Sequence, residues 1–176
     1  FIKEKSNEDL ETLHSLENIL LSKRGYIVKI PQPNTPVVAC LSGGMDTVGN
    51  LAILMQEFKL RVFPFFVNRG QSNYKWEKRS AEFFDGFFMD KFPEQYNKYK
   101  EITVESPAKE YKNELRKVKE SEKIGNIGYP ARNPMIVLTG MEYAYSLRNM
   151  GENINTVFTS FMAEDPINHS TLTAVR

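Results

Sequence analysis

Short runs of apolar residues alternate along this chain with amphipathic segments. Residues 37–41 form one such run and residues 61–67 a longer one, and both predict buried strands of a parallel sheet. Pro64 lies within the second run, where it would remove one backbone donor from the expected strand. Two further runs, at residues 101–104 and 155–161, complete a set of four predicted strands.

The segments between these strands have the spacing of helices. Four apolar residues that follow the first strand share one side of a predicted helix: Leu51, Leu54, Met55 and Phe58. Residues 74–88 and 134–149 predict two more helices. Because strands alternate with helices, the sequence predicts an α/β fold in which helices cover both faces of a parallel, Rossmann-like sheet.

A separate N-terminal region precedes the predicted sheet. Five leucines recur there at helical spacing: Leu10, Leu13, Leu16, Leu20 and Leu21. Gly25 is placed to end this helix, and Pro31, Pro33 and Pro36 then enforce an extended connector. We therefore predict a helix and proline-rich connector over residues 1–36 and a sheet-containing domain over residues 37–176. We also expect a C-terminal truncation, because the sequence stops without a clear terminal element.

Composition and charge indicate a soluble globular chain. The apolar fraction is 41% and the charged fraction 26%, and no apolar run approaches the roughly 20 residues that span a bilayer. The single cysteine, Cys40, excludes an internal disulfide and is compatible with a reducing compartment. A net charge of +1 gives no general reason to expect nucleic-acid binding. We expect a cytoplasmic protein that binds neither membranes nor nucleic acids.

A glycine-rich segment, Ser42-Gly43-Gly44-Met45-Asp46-Thr47, stands between the first predicted strand and the helix that follows. Its two glycines permit a sharp turn that brings backbone N–H groups close to an anion, and the helix start adds a positive dipole end. Asp46 can hold Mg²⁺ or simply cap the helix. No lysine follows the glycines, so this is not a Walker loop. The segment predicts a phosphate-binding loop.

Three candidate site loops begin at Ser42, Asn68 and Met162, each after a predicted strand. In parallel sheets, ligands bind at the carboxyl ends of the strands. We therefore expect these three loops to surround one ligand site.

The glycine loop resembles the S-G-G-x-D-[ST] signature of the PP-loop (adenine-nucleotide alpha-hydrolase) enzymes. Three further segments follow it in order: Asn68-Arg69-Gly70-Gln71, Tyr129-Pro130-Ala131-Arg132-Asn133 and Ala163-Glu164-Asp165. Together, over about residues 37–165, these motifs resemble the 7-cyano-7-deazaguanine (preQ0) synthases within that superfamily.

The resemblance implies an ATP-dependent ligase. In that reaction the carboxylate of 7-carboxy-7-deazaguanine attacks the α-phosphate of ATP, which gives an acyl-adenylate and pyrophosphate. Ammonia then displaces AMP to form an amide, and a second activation dehydrates the amide to a nitrile. The resemblance also implies that residues 37–176 are an ATP-binding catalytic domain and that ATP and Mg²⁺ are required.

Residue roles are carried over from the matching motifs. The resemblance places the nucleotide beside seven residues: Leu41, Ser42, Gly43, Gly44, Met45, Asp46 and Thr47. It implies that Asp46 is catalytic and holds Mg²⁺. It implies that Arg132 is catalytic too, neutralising developing charge or holding the substrate carboxylate. Gln71, Asn133 and Asp165 are expected to bind the edges of the deazapurine.

The chain departs from that family at the zinc site. Family members bind zinc through four cysteines near the C-terminus, whereas no cysteine follows Cys40 here. We therefore do not expect zinc, although His169 is a conceivable substitute ligand. The added N-terminal region is a second departure. Both favour a divergent branch, in which a related ligase joins the activated acid to another amine, such as the N-terminus of a partner protein in a bacterial defence system.

Structural explanations also exist for these motifs. Arg132-Asn133-Pro134 is a good helix start by itself, and a non-catalytic nucleotide-binding module would keep the glycine loop.

A thiolating PP-loop enzyme or a phosphosulfate reductase would require cysteines that are missing. Four phenylalanines, which suit either the core or a homodimer interface, lie in one predicted helix: Phe83, Phe84, Phe87 and Phe88.

Overall fold

The computed structural model describes residues 7–27, 29–106, 108–110 and 132–160. Its helices are α1 (Asn7–Arg24), α2 (Met45–Gln56), α3 (Tyr74–Lys91) and α4 (Arg132–Asn149). Its strands are β1 (Pro36–Cys40), β2 (Arg61–Asn68), β3 (Lys100–Thr103) and β4 (Val157–Phe158). None of the helices in this part of the chain combines the length and the apolar character that a membrane crossing requires.

The four strands form one parallel sheet in the order β3-β2-β1-β4. At the centre of β1, Val38 is paired with Phe63 of β2 and with Val157 of β4. The chain therefore proceeds outward from β1 through β2 to β3 and later returns to the other side of β1. This reversal makes the carboxyl ends of β1 and β4 the switch point of the sheet, which is where α/β folds bind ligands.

Helices cover both faces of the sheet, as the sequence predicts. Alternate residues of β1 and β2, such as Val37 and Val62, pack with α2 and α3 on one face. The intervening residues, such as Val38 and Phe65, pack with Ala144 of α4 on the opposite face. The predicted α/β fold with a parallel, Rossmann-like sheet is confirmed.

Pro64 lies in β2, between two neighbouring strands, where a proline is uncommon. Val62 donates its N–H to the carbonyl oxygen of Gln95, which lies on the β3 side of the strand. Because backbone direction alternates along a strand, the nitrogen of Pro64 also faces that side. The ladder between β2 and β3 begins only at Phe65, paired with Lys100. The missing donor of Pro64 therefore falls in a gap of that ladder, and the strand continues.

Helix α1 is confirmed, and Gly25, with φ of +77°, ends it by donating its N–H to the carbonyl oxygen of Leu21. None of the side chains described in this helix, residues 11–24, is buried. Leu16, Ile19 and Leu21 are all exposed. Its leucine pattern therefore predicts the helix but does not lead to packing on the core.

The last predicted strand is the one that differs most from the structure. Within the described residues, β4 comprises only Val157–Phe158 rather than residues 155–161. Two ladder pairs to β1 suffice to place it in the sheet, because Val157 also packs against the core on the α4 face. Similarly, α2 ends at Gln56, so Phe58 lies beyond the helix but still packs on the core.

Candidate functional site

A cleft of about 240 Å³ lies at the carboxyl ends of β1, β2 and β4, beside the switch point of the sheet. Three groups of residues line it. The first comes from β1 and the glycine loop: Cys40, Ser42, Gly44, Asp46 and Thr47. The second comes from β2, its loop and α3: Phe66, Val67, Arg69, Gln71 and Glu77. The third comes from α4 and the end of β4: Arg132, Asn133, Ile136, Thr159 and Ser160.

The glycine loop makes a tight turn against α3. Gly43 has φ of +80°, in the left-handed region that favours glycine. A Cβ atom there would lie 2.7 Å from the Cβ of Ser80 and 2.9 Å from the carbonyl oxygen of Glu77. Both the backbone conformation and the space therefore require a glycine at this position, and the two observations explain why the loop folds back on α3.

Two hydroxyl groups brace the loop from within. The buried Thr47 hydroxyl donates to the carbonyl oxygen of Gly44 at 3.0 Å and accepts the N–H of Ser42 at 3.2 Å. The Ser42 hydroxyl lies 3.1 Å from that of Thr47. These contacts fix the loop before any ligand binds, so the hydroxyls first serve to hold the turn.

The start of α2 is open to an anion. Its N-cap residue is Gly44, which has no side chain to bond the free N–H groups of the first turn. Asp46 is the second residue of the helix and is exposed, so the alternative that Asp46 caps the helix is not what the structure has. An uncapped first turn, next to a glycine turn, is the arrangement that binds phosphate groups in other folds.

Gln71 organises the loop that follows β2. Its Oε1 accepts the N–H of Arg69 at 2.9 Å, and its Nε2 donates to the carbonyl oxygen of Val67 and to Glu77. Glu77 also accepts a 2.5 Å hydrogen bond from Asn73. The Gln71 amide therefore uses its donors on β2 and α3, and a base-binding role for it remains a prediction.

Two arginines line the same cleft. Arg69 follows β2 and is half-buried, while Arg132 is the first residue of α4. Burial lowers the pKa of Arg69, Glu77 raises it and the nearby positive charge of Arg132 lowers it. Arg132 also donates from Nε to the Oδ1 atom of Asn133 at 3.3 Å, and Asn133 is buried. The cleft therefore places two guanidinium groups close to the glycine loop, together with the carboxylates of Asp46 and Glu77.

Cys40 lines the cleft but is not a nucleophile there. Burial, with a smaller contribution from the charge of Glu77, raises its pKa from 9.0 to about 12. The side chain is therefore a neutral thiol at physiological pH, and thiolates rather than thiols react as nucleophiles.

The cleft brings together seven of the residues that the sequence predicts for the site: Ser42, Gly44, Asp46, Thr47, Gln71, Arg132 and Asn133. Three other predicted residues are placed differently. The side chain of Leu41 is buried in the core, Gly43 packs on α3, and Met45 is 90% exposed. Asp165 and His169 lie outside the described residues.

Among the lining residues with no predicted role, four could bind a ligand through polar or charged side chains: Arg69, Glu77, Thr159 and Ser160. The signal for Arg69 is present in the sequence, because it directly follows a predicted strand within the quoted motif. Ser160 falls inside the predicted last strand, so its place at the end of a shorter β4 is visible only in the structure.

The site residues fit a nucleotide and a magnesium ion. The uncapped first turn of α2 suits a phosphate chain, and Asp46 is an exposed carboxylate at that turn. Mg²⁺ is usually bound through one or two carboxylates and the phosphates of the substrate, so Asp46 alone is a sufficient protein ligand. Within the part of the chain that the structure describes, no three His, Cys, Asp or Glu side chains form a metal-binding group.

No protein-family model matches this chain, and a search of curated proteins finds no match either. The interpretation of the cleft therefore rests on its residues and their geometry.

Proposed function

We propose that the chain is an ATP-dependent ligase that activates a carboxylate as its adenylate. One observation carries this proposal: the uncapped glycine loop and the two arginines, Arg69 and Arg132, line a single cleft at the switch point of the sheet. Transfer of an adenylyl group requires that several negative charges be held together and neutralised. The N–H groups of the loop and the two guanidinium groups supply the positive charge that this requires.

The proposed first step balances without any further reactant. An oxygen of the substrate carboxylate attacks the α-phosphorus of ATP, and the bond from that phosphorus to the oxygen bridging to the β-phosphate breaks. Pyrophosphate leaves with the bridging oxygen. In the second step the nitrogen of ammonia or another amine attacks the carbonyl carbon, AMP leaves with the carboxylate oxygen, and the nitrogen loses a proton.

The resemblance of the motifs favours 7-carboxy-7-deazaguanine as the acid, with amide and then nitrile as products. In this proposal the loop of residues 42–47 holds the pyrophosphate portion of ATP. Asp46 would hold Mg²⁺, which supplies further neutralisation of the leaving group. Arg132 stabilises the charge that develops at the α-phosphate or binds the carboxylate, and Asn133 contacts the deazapurine.

The alternative chemistries of the superfamily have less support. Sulfur transfer and phosphosulfate reduction both require a reactive cysteine. The single cysteine of this chain is buried, and its pKa is raised to about 12. Adenylation requires no such residue, since the protein contributes positioning and charge.

The decisive experiment measures pyrophosphate and AMP released from ATP and Mg²⁺ with 7-carboxy-7-deazaguanine. We expect release that depends on the acid and falls by about 100-fold or more in Asp46→Ala, because the metal contributes several kcal/mol. Asp90→Ala is the matched control, since Asp90 is an exposed aspartate on α3 outside the cleft. Its rate should equal that of the wild type.

Each other outcome has a distinct meaning. Acid-dependent pyrophosphate release without an amide from ammonia would favour the ligase that uses another amine, such as a protein N-terminus. ATP binding without pyrophosphate release would contradict the ligase proposal for this acid. The remaining explanations would be a nucleotide-binding module or a different acid substrate.

A further inference from the structure

Besides the glycine loop, the cleft contains two guanidinium groups and one buried hydroxyl. Arg69 follows β2, Arg132 begins α4 and Ser160 follows β4, so three separate elements bring these side chains to one place. The glycine loop continues into α2 on one face of the sheet, whereas α4 packs on the opposite face. The cleft thus has anion-binding groups that come from both faces.

Ser160 has an unused hydrogen-bonding group. Its Oγ atom is buried and, among the described residues, has no hydrogen-bond partner. A buried hydroxyl without a partner costs about 1–3 kcal/mol, so such groups usually meet a ligand or a water molecule. An oxygen of a bound anion would accept this hydrogen.

Arg69 is a second group of the cleft that suits an anion. Among the described residues no carboxylate lies within ion-pairing distance of its guanidinium, although the side chain is half-buried. Glu77 of the same cleft already accepts hydrogen bonds from Gln71 and Asn73. The charge of Glu77 still favours the charged form of Arg69, whereas the neighbouring charge of Arg132 adds repulsion. An oxyanion between the two arginines would remove that repulsion and suit the planar donors of a guanidinium.

We propose that Arg69 and Ser160 bind the carboxylate of the acid substrate, beside Arg132 and apart from the phosphates at the glycine loop. This inference rests on the proposed function, because it assigns the phosphates to the loop. The chemistry that is recognised is an oxyanion, which is present in the carboxylate and also in the phosphates of ATP. An experiment must therefore measure the two ligands separately.

The test measures binding by calorimetry, with inorganic pyrophosphate and 7-carboxy-7-deazaguanine each added alone. Arg69→Gln and Ser160→Ala should each weaken binding of the acid by about 10-fold or more, as expected for hydrogen bonds to a charged group. Pyrophosphate affinity should change by less than about 2-fold in both variants. Arg148→Gln, at an exposed arginine near the end of α4, is the control and should alter neither affinity.

Arg69→Lys keeps the charge but loses the paired donors, so it should bind the acid with an affinity between those of the wild type and Arg69→Gln. Thermal unfolding of every variant checks that it is folded. Unchanged acid affinity in Arg69→Gln, or a wild type that does not bind this acid, would overturn the inference. So would an equal loss of pyrophosphate affinity, which would assign Arg69 to the phosphates.

Failure of this inference can be distinguished from failure of the ligase proposal. If acid binding depends on Arg69 but ATP yields no pyrophosphate, the carboxylate site stands and the ligase proposal fails. If pyrophosphate release occurs with the same KM for the acid in Arg69→Gln, the ligase proposal stands and this inference is wrong.

Discussion

The hydroxyl of Ser80 donates a 2.7 Å hydrogen bond to the carbonyl oxygen of Gly43. This contact joins the middle of α3 to the glycine loop, 37 residues earlier in the chain. The backbone of α3 approaches equally closely, since a Cβ on Gly43 would lie 2.9 Å from the amide nitrogen of Ala81. Helix α3 therefore supports the loop from behind, and the loop conformation depends on packing as well as on glycine.

Gly43→Ala is expected to disturb both the loop and α3. Positive φ costs an alanine about 1–2 kcal/mol, and the overlap with Ser80 and the α3 backbone adds about 1–3 kcal/mol. The first turn of α2 would shift with the loop. We expect a loss of unfolding free energy of about 2–5 kcal/mol in urea denaturation. We also expect pyrophosphate binding to weaken by about 10-fold or more in calorimetry.

Gly151→Ala is the matched control for this prediction. Gly151 also has positive φ, +101°, but a Cβ there would meet no atom within 4 Å. It should therefore lose only the conformational part, about 1–2 kcal/mol, and bind pyrophosphate normally. Equal effects of the two substitutions would mean that packing of α3 on the loop contributes nothing.

Much of the fold can be predicted from the sequence because the signals are local. The apolar runs of β1 and β2 and the glycines between β1 and α2 each require only neighbouring residues to be recognised. Pro64 is the instructive case, because a proline usually argues against a central strand. Its place in the ladder gap before Phe65 depends on where β3 begins, which no local pattern specifies.

The composition of the site is harder to predict because it depends on contacts between distant residues. Arg69 and Arg132 line one cleft because α4 packs on the sheet face opposite α2, with its first turn at the carboxyl edge. Ser160 enters the cleft only because β4 stops after Phe158. Gln71 is recognisable as part of a motif, yet its bonds to Val67 and Glu77 could not be foreseen from that motif.

Gly140→Ala tests how closely α4 approaches the sheet. A Cβ at Gly140 would lie 2.8 Å from the Cγ1 of Val157 and 2.9 Å from the Cζ of Phe65, which is fully buried. Overpacking at such a site costs about 1–3 kcal/mol, and the better helix propensity of alanine offsets up to about 1 kcal/mol of it. We expect a net loss of about 1–2 kcal/mol, measured by urea denaturation.

Gly86→Ala provides the comparison, because Gly86 is in the exposed face of α3 and a Cβ there would meet nothing within 4 Å. This substitution should stabilise the protein by about 0.5–1 kcal/mol through helix propensity alone. If both substitutions stabilise, the close contact between α4 and the core is not rigid.

The raised pKa of Cys40 makes the unfolding free energy depend on pH. Burial raises this pKa from 9.0 to about 12 in the folded chain, so the folded state keeps the proton that the unfolded state releases above pH 9. This stability is fully present below pH 9 and is lost as the pH rises towards 12, at about 1.4 kcal/mol per pH unit.

Urea denaturation of the wild type and Cys40→Ala at increasing pH isolates this contribution. The variant starts lower at pH 7, because a buried group is removed, but it should lose about 2 kcal/mol less by about pH 10.5. Buried tyrosines such as Tyr96, whose pKa is also raised, act alike in both proteins. Parallel curves would show that Cys40 ionises equally in both states and that the floor of the cleft is open to water.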